Sequence, residues 1–392
     1  MVKASDLTDS WNTIKEVDLR PLVQQALNGV RIALVGRPGS GRKTLAEQMR
    51  QDPARPASLS DAPVLVLDLE TAPNDLEADL IILLVDDRQA DVSLEQEAAL
   101  GWTNAGGRVL VFINQFEQPE EQRLPVAWTD WRRRRVVKGS ALDDDFLVKK
   151  FAPAVIDLLP ERLLGLGRYF PLFRLPVAHH LINDTCLSNA GYSLSTGLAE
   201  IVPVFDIPLN VADMVVLTKT QAYLVFKLGL ALGFSTRWQD YVAEFGSVLG
   251  SGFLWRQMAR SLVGLIPVWG IVPKVAVAYS GTYVVGNVIL QWYLTGRHIS
   301  PRQMSELSRQ AFAKGKSVAQ NLLKKAPRPR LPKLQRPRLP GLPKPRLPRL
   351  PARKPKQLPP PQVIQVCPAC GKANAEDASF CQYCGKSLKV EE

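Results

Sequence analysis

Ile32-Ala-Leu-Val-Gly-Arg-Pro-Gly-Ser-Gly-Arg-Lys-Thr44 is the stretch that decides the fold, because an apolar run, a glycine turn and a polar helix start follow one another without a break. That order builds a phosphate cradle. In the form G-x-x-x-x-G-K-[ST], backbone N–H groups wrap the phosphates, the Lys reaches the outer ones and the hydroxyl holds magnesium. Gly36 and Gly41 have the required spacing, with Gly39 between them, but Arg42 takes the lysine position. Lys43 then stands where the hydroxyl belongs, and an ammonium only donates hydrogen bonds, so it cannot ligate a cation. A bulge of one residue gives the other register, with Lys43 as the phosphate lysine and Thr44 as the hydroxyl. Either register damages the cation chemistry. The glycines and the helix N-terminus still offer backbone amides to an anion.

Working outward, strands are expected to recur at Val30 to Val35, Pro63 to Leu67, Asp79 to Val85, Arg108 to Ile113 and Arg134 to Val137. Segments of helical length separate them, which predicts a parallel sheet with crossover helices and a ligand site beyond the carboxyl ends of the strands. Three of those ends carry polar motifs. Asp68 is followed by Leu69-Glu70-Thr71, Ile113 by Asn114-Gln115-Phe116-Glu117, and Val137, one residue later, by Gly139-Ser140-Ala141-Leu142. In order and spacing, residues 29 to 160 resemble bacterial small GTPases of the Era/Der type. The resemblance implies an α/β P-loop NTPase-like domain. It makes Gly36, Gly39, Gly41, Arg42, Lys43 and Thr44 the phosphate contacts, Asn114 and Glu117 the guanine readers, and Ser140 and Ala141 the loop beside the base. The departures are the Gly missing after Asp68, Gln115 and Glu117 in place of Lys and Asp, and the basic pair at 42 and 43. Only twenty-three residues separate Thr44 from Asp68, room for one helix and a loop but not for an extra strand and a switch segment. Switch elements position water and magnesium, so hydrolysis is not expected. GTP is the nucleotide implied, and no magnesium site is legible.

Residues 161 to 325 read as helical, apolar and punctuated by Gly and Pro. They carry Pro171-Leu-Phe-Arg174, Leu181-Ile-Asn-Asp184-Thr185, Ile201-Val-Pro203, Leu217-Thr218-Lys219-Thr220-Gln221, Leu265-Ile266-Pro267-Val-Trp-Gly270 and Ala278-Tyr279-Ser280-Gly281-Thr282-Tyr283. This series is similar to the helical domain of unknown function, YcjF-type, that follows such GTPase modules; the resemblance implies membrane association. The residues agree in part. No charge occurs from Val275 to Gly296, long enough to span a bilayer, with Trp292, Tyr293 and Arg297 as an interfacial end. Ala278, Thr282 and Gly286 put small side chains on one face where another helix can approach. Ser261 to Pro273 is too short to cross and suits a re-entrant arm. The alternative is a hairpin buried in a helical bundle. Asp184, Asp206 and Asp213, with His179 and His180, are read as caps and bundle hydrogen bonds, and Cys186 as core.

Residues 1 to 28 form amphipathic lead-in helices, with Pro21 read as the break between two of them. The net charge of +12 belongs to one segment: Lys324 to Lys356 holds thirteen Lys or Arg and no acid. Residues 326 to 364 alternate Pro with Arg, Lys and Leu, which favours a disordered, extended tether over helix or sheet. Anionic lipid, nucleic acid and a proline-recognising groove are its candidate partners, beside a plain solubilising spacer. Lipid is favoured because the segment follows the apolar domain and has no aromatics for base stacking.

The tail, 365 to 392, holds Cys367-Pro-Ala-Cys370-Gly371 and Cys381-Gln-Tyr-Cys384-Gly385. Each C-x-x-C-G turn sets two sulfurs on one side, and two turns complete a closed tetrahedral zinc site. It resembles a bacterial zinc ribbon with structural zinc. No secretory leader pattern opens the chain, so a reducing compartment is expected and disulfides are not. The whole reads as an adaptor or regulator at the cytoplasmic face of the cell membrane, peripheral or integral, or otherwise in the cytoplasm. A degenerate GTPase-like module would be tethered to a ribbon that docks on a protein or nucleic acid. Its rivals are an active GTPase driving a membrane-linked cycle, and a nucleic-acid-binding protein using tether and ribbon.

Overall fold

The computed structural model describes residues 18–52, 55–116, 131, 134–199, 209–241, 271–297, 299–325, 364–366, 368–369 and 373–375. The chain divides into two compact units, Met1–Pro327 and Arg328–Glu392.

Every expected strand forms within two residues of its predicted bounds. They are β1 (Ile32–Gly36), β4 (Val64–Asp68), β5 (Leu80–Asp86), β6 (Val109–Asn114) and β7 (Arg135–Gly139), in the order β4-β1-β5-β6-β7 with all neighbours parallel. A parallel sheet is covered on both faces, so its strands read as unbroken apolar runs whose side chains alternate between two cores. Ala33, Val35, Ile81, Leu83, Val85, Val111 and Ile113 share one core with Ala99 and Trp102 of helix α3 (Ser93–Asn104). Leu34, Ile82, Leu84, Leu110 and Phe112 share the other with Leu45, Ala46 and Met49 of helix α2 (Arg42–Arg50). The two crossover helices therefore lie on opposite faces.

One expectation fails between Thr44 and Asp68. Helix α2 stops at Arg50, and the residues saved form a separate antiparallel pair, β2 (Gln51–Asp52) and β3 (Arg55–Leu59), outside the main sheet. The interval does hold extra strands. Helix α1 (Arg20–Leu27) carries Pro21 in its first turn, where the missing N–H costs nothing; the earlier of the two expected lead-in helices lies outside the described residues.

After β7, α4 (Asp144–Phe146) runs through a π-helical turn, Leu147–Phe151, into α5 (Ala152–Leu158). Phe112 meets Phe146 and Phe151 edge to face, and Phe151 in turn meets Phe173. The core under the sheet thus continues without a gap into α6 (Leu163–Tyr169), α7 (Arg174–Ala199), α8 (Leu209–Ala231), α9 (Ile271–Thr295) and α10 (Pro301–Lys325). Helix α1 closes on this side too: Tyr169 Oη donates to Leu27 O at 2.9 Å.

Among the described residues no helix is long and apolar enough to cross a membrane. The spanning reading of Val275 to Gly296 is corrected by what surrounds α9, which packs against α7, α8 and α10. Its small face meets protein. A Cβ on Gly286 would stand 2.8 Å from Cγ1 of Ile182, and Asn189 Nδ2 donates to Thr282 Oγ1 at 2.8 Å. The polar groups that a bilayer would penalise are here satisfied inside a bundle. The arm expected at Ser261 to Pro273 lies outside the described residues up to the start of α9.

Cys186 is fully buried on α7, and burial pushes its thiol up to about 12. Iodoacetamide at pH 8 should therefore leave Cys186 unmodified in the folded chain and label it in urea, as read by peptide mass mapping. Labelling of the native protein at the rate of a free thiol would show that this helix opens.

Candidate functional site

The strand register fixes which residues meet at the carboxyl edge of the sheet. Asp68 and Leu84 lie beside Gly36, and Asp86, Asn114 and Gly139 form a second row. The loop after β1 curls over this edge with Gly39 at φ +82° and Gly41 at φ +95°, a left-handed backbone that favours glycine. Helix α2 begins at Arg42, directly after Gly41. No extra residue stands between Gly41 and the helix, so Arg42 is its first residue, Lys43 is exposed and Thr44 is half-buried.

Asn114 is buried, and its amide joins two loops. Nδ2 donates to Ser40 O at 3.0 Å, and Oδ1 accepts from Ala141 N at 3.0 Å. The strand end of β6 therefore ties the glycine loop to the loop after β7. Gly41 has to be glycine for a second reason, because a Cβ there would run into Nδ2 of Asn114. Ser140 Oγ accepts from Leu142 N at 3.2 Å, and the ring of Phe146 packs on Gly139, so the 139–142 turn is held from both sides. Of the expected site residues, Gly36, Gly39, Gly41, Asn114, Ser140 and Ala141 come together. Glu117 lies outside the described residues.

The charges at this edge are paired in ways the sequence did not suggest. Arg42 turns toward β4, where Nη1 donates to Leu67 O and Nη2 stands 3.3 Å from Asp68 Oδ2. Arg37 reaches the fully buried Glu95 of α3, with Nε 2.7 Å from Oε1, and Gln89 Nε2 donates to the same oxygen at 3.1 Å. Arg88 pairs with Asp86 at 2.5 Å and lies 4.0 Å above the ring of Phe116. Asp87 is buried, and its Oδ1 accepts from Phe116 N at 3.3 Å. Of the cations in the loop and first turn, only Lys43 has no carboxylate partner among the described residues. The signal for this cluster was the run Asp86-Asp87-Arg88-Gln89, directly after six apolar residues at a strand end.

Chemically, the glycine loop and the start of α2 present backbone amides and the positive end of a helix dipole. Asp68, set beside Gly36 by the strand register, is paired with a guanidinium of the same chain. His179, His180 and Asp184 are exposed on α7, and no group of three or more His, Cys, Asp or Glu that could hold a metal ion occurs among the described residues. Asp206 lies outside the described residues.

In the second unit, β8 (Ile364–Val366) pairs antiparallel with β9 (Ala373–Ala375), Val366 opposite Ala373. The two strands lie on either side of the stretch of sequence holding Cys367 and Cys370. Residues 366–388 match the zinc-ribbon domain family. The C-terminal segment is a zinc ribbon. All four cysteines lie outside the described residues, but the donor set fits the metal: two C-x-x-C pairs supply four thiolates, a closed tetrahedral set with no position left for substrate. Cys367, Cys370, Cys381 and Cys384 would hold zinc in a structural role. No curated protein matches the chain.

Proposed function

We propose that residues 29 to 160 form a GTPase-like module that binds a nucleotide weakly and does not hydrolyse it, and that the chain acts as an adaptor whose zinc ribbon docks on a protein partner. One observation carries this reading. Arg42 spends its guanidinium on Asp68 and Leu67 O, so the residue at the lysine position points away from the cradle and the neighbouring acid is already paired. A magnesium ion would have to displace an internal ion pair, while the amides that hold phosphate need no metal.

Calorimetric titration of the full chain with GTP should give a dissociation constant of about 0.1–1 mM, about −4 to −5.5 kcal/mol. Replacing magnesium by EDTA should change it by less than about twofold. Tight binding that needs magnesium, with phosphate released over time, would establish an active GTPase instead.

A further inference from the structure

Helix α10 is two-sided. Met304, Ser308, Ala311, Gly315 and Ala319 form its buried stripe. On the opposite side Arg302, Arg309 and Lys316 recur every seven residues, all exposed, and Lys324 and Lys325 end the helix. A repeat of seven keeps side chains on one stripe, and fourteen residues carry this one along about 21 Å. Glu306 is the only acid on the helix and is paired with Arg309 at 2.6 Å; Arg302, Lys316 and Lys324 have no carboxylate partner among the described residues. At the corner where α9 turns into α10, Leu294 is 51% exposed. Phe234, whose ring centroid lies 4.8 Å from that of Tyr293, is 41% exposed. Arg297 and Arg302 flank the turn, and both are exposed.

We propose that this corner and the outward stripe of α10 dock on a lipid surface carrying anionic headgroups. Charge complementarity selects the anion, since each basic side chain near such a surface contributes to attraction within a Debye length. The exposed Leu294 and Phe234 select lipid over other polyanions, because apolar side chains beside a basic stripe enter the acyl boundary. The sequence from 326 to 361 extends the same chemistry: its Arg and Lys residues alternate with leucines at 331, 334, 339, 342, 347 and 350, and that stretch has no aromatic to stack on a base. The proposal is independent of nucleotide binding. It places the contact on a helix surface, with no segment crossing the bilayer.

The test is sedimentation of the full chain with vesicles of phosphatidylcholine alone and with about one-third phosphatidylglycerol added. Binding should favour the anionic vesicles by at least about tenfold and fall steeply in about 0.5 M salt. With the tether intact, the combined change Arg302→Glu, Arg309→Glu and Lys316→Glu should lower partition by at least about tenfold. The corresponding Gln substitutions should lower it less, with both variants keeping the parent unfolding temperature. Phe234→Ser with Leu294→Ser should weaken binding to the same vesicles at every salt concentration. Partition unchanged by the Glu and Gln variants would overturn the proposal by leaving the tether as the sole attachment. Equal binding to both vesicle types would overturn it. So would an RNA duplex bound more tightly than the vesicles and lost with the same substitutions.

Discussion

Asn114→Ala is expected to lower the stability of the sheet unit by about 2–4 kcal/mol, a large effect for one uncharged surface-distant side chain. The reason lies in what the amide leaves behind. Its Nδ2 and Oδ1 satisfy Ser40 O and Ala141 N in a site that is 3% exposed, and truncation strands both. Each orphaned group carries a desolvation cost of about 1–3 kcal/mol, which water offsets in part if it enters. Urea unfolding measures the global loss. Amide exchange at residues 36–41 and 139–142 should rise even below the transition, because the tie between the two loops is local. Asn114→Asp should cost at least as much, since a carboxylate can still accept from Ala141 N but turns an acceptor toward Ser40 O. An Ala variant within about 0.5 kcal/mol of the parent would show that the loops are held by something else.

The same residue shows how far the sequence could be read. Its place at a strand end was legible, because Val109 to Ile113 is an unbroken apolar run and the polar residue after such a run faces the ligand edge of a parallel sheet. Its partners were not, since Ser40 and Ala141 are 74 and 27 residues away and only the register of β1, β6 and β7 brings them within reach. Arg42 repeats the lesson. Pattern reading flagged it as the wrong cation at the right place, but whether it faced a ligand or the protein depended on Asp68, which pairing of β4 with β1 sets beside Gly36. Buried partners cost no sequence signature of their own.

Helix α9 marks the opposite limit. Twenty-two residues without charge satisfy a length rule for a bilayer, yet the rule counts side chains without asking what faces them. Ser280 and Thr282 answer for themselves by donating to the carbonyls of Ala276 and Ala278, so hydroxyls that lower the hydropathy are spent inside the helix. Packing by α7, α8 and α10 then supplies the apolar surroundings that lipid would have supplied. Small residues on one face were a sound guide to close approach, because that signal concerns the approaching backbone and is indifferent to the solvent beyond it.

Removal of zinc should abolish the fold of the C-terminal ribbon while leaving the unit Met1–Pro327 intact. A segment of this size cannot bury enough apolar surface to offset the entropy of ordering it, and the described part is one pair of three-residue strands. Zinc held by four thiolates supplies an apparent free energy of about 10–16 kcal/mol near neutral pH, far more than the hairpin alone. A high-affinity chelator should therefore release one zinc per chain, and amide protection at Ile364–Val366 and Ala373–Ala375 should collapse with it. Because thiolates must deprotonate to bind, acidification should release the metal without chelator and neutralisation with zinc should restore the protection. Cys381→Ser should reduce the bound metal and expose the same amides, although Cys381 is six residues beyond β9, since both knuckles are needed for one tetrahedral site. The unfolding transition of the sheet and helices should be unchanged in every case, as the ribbon belongs to a separate compact unit. Metal-replete protein that binds no zinc, or a hairpin that stays protected after chelation, would remove the metal from its structural role.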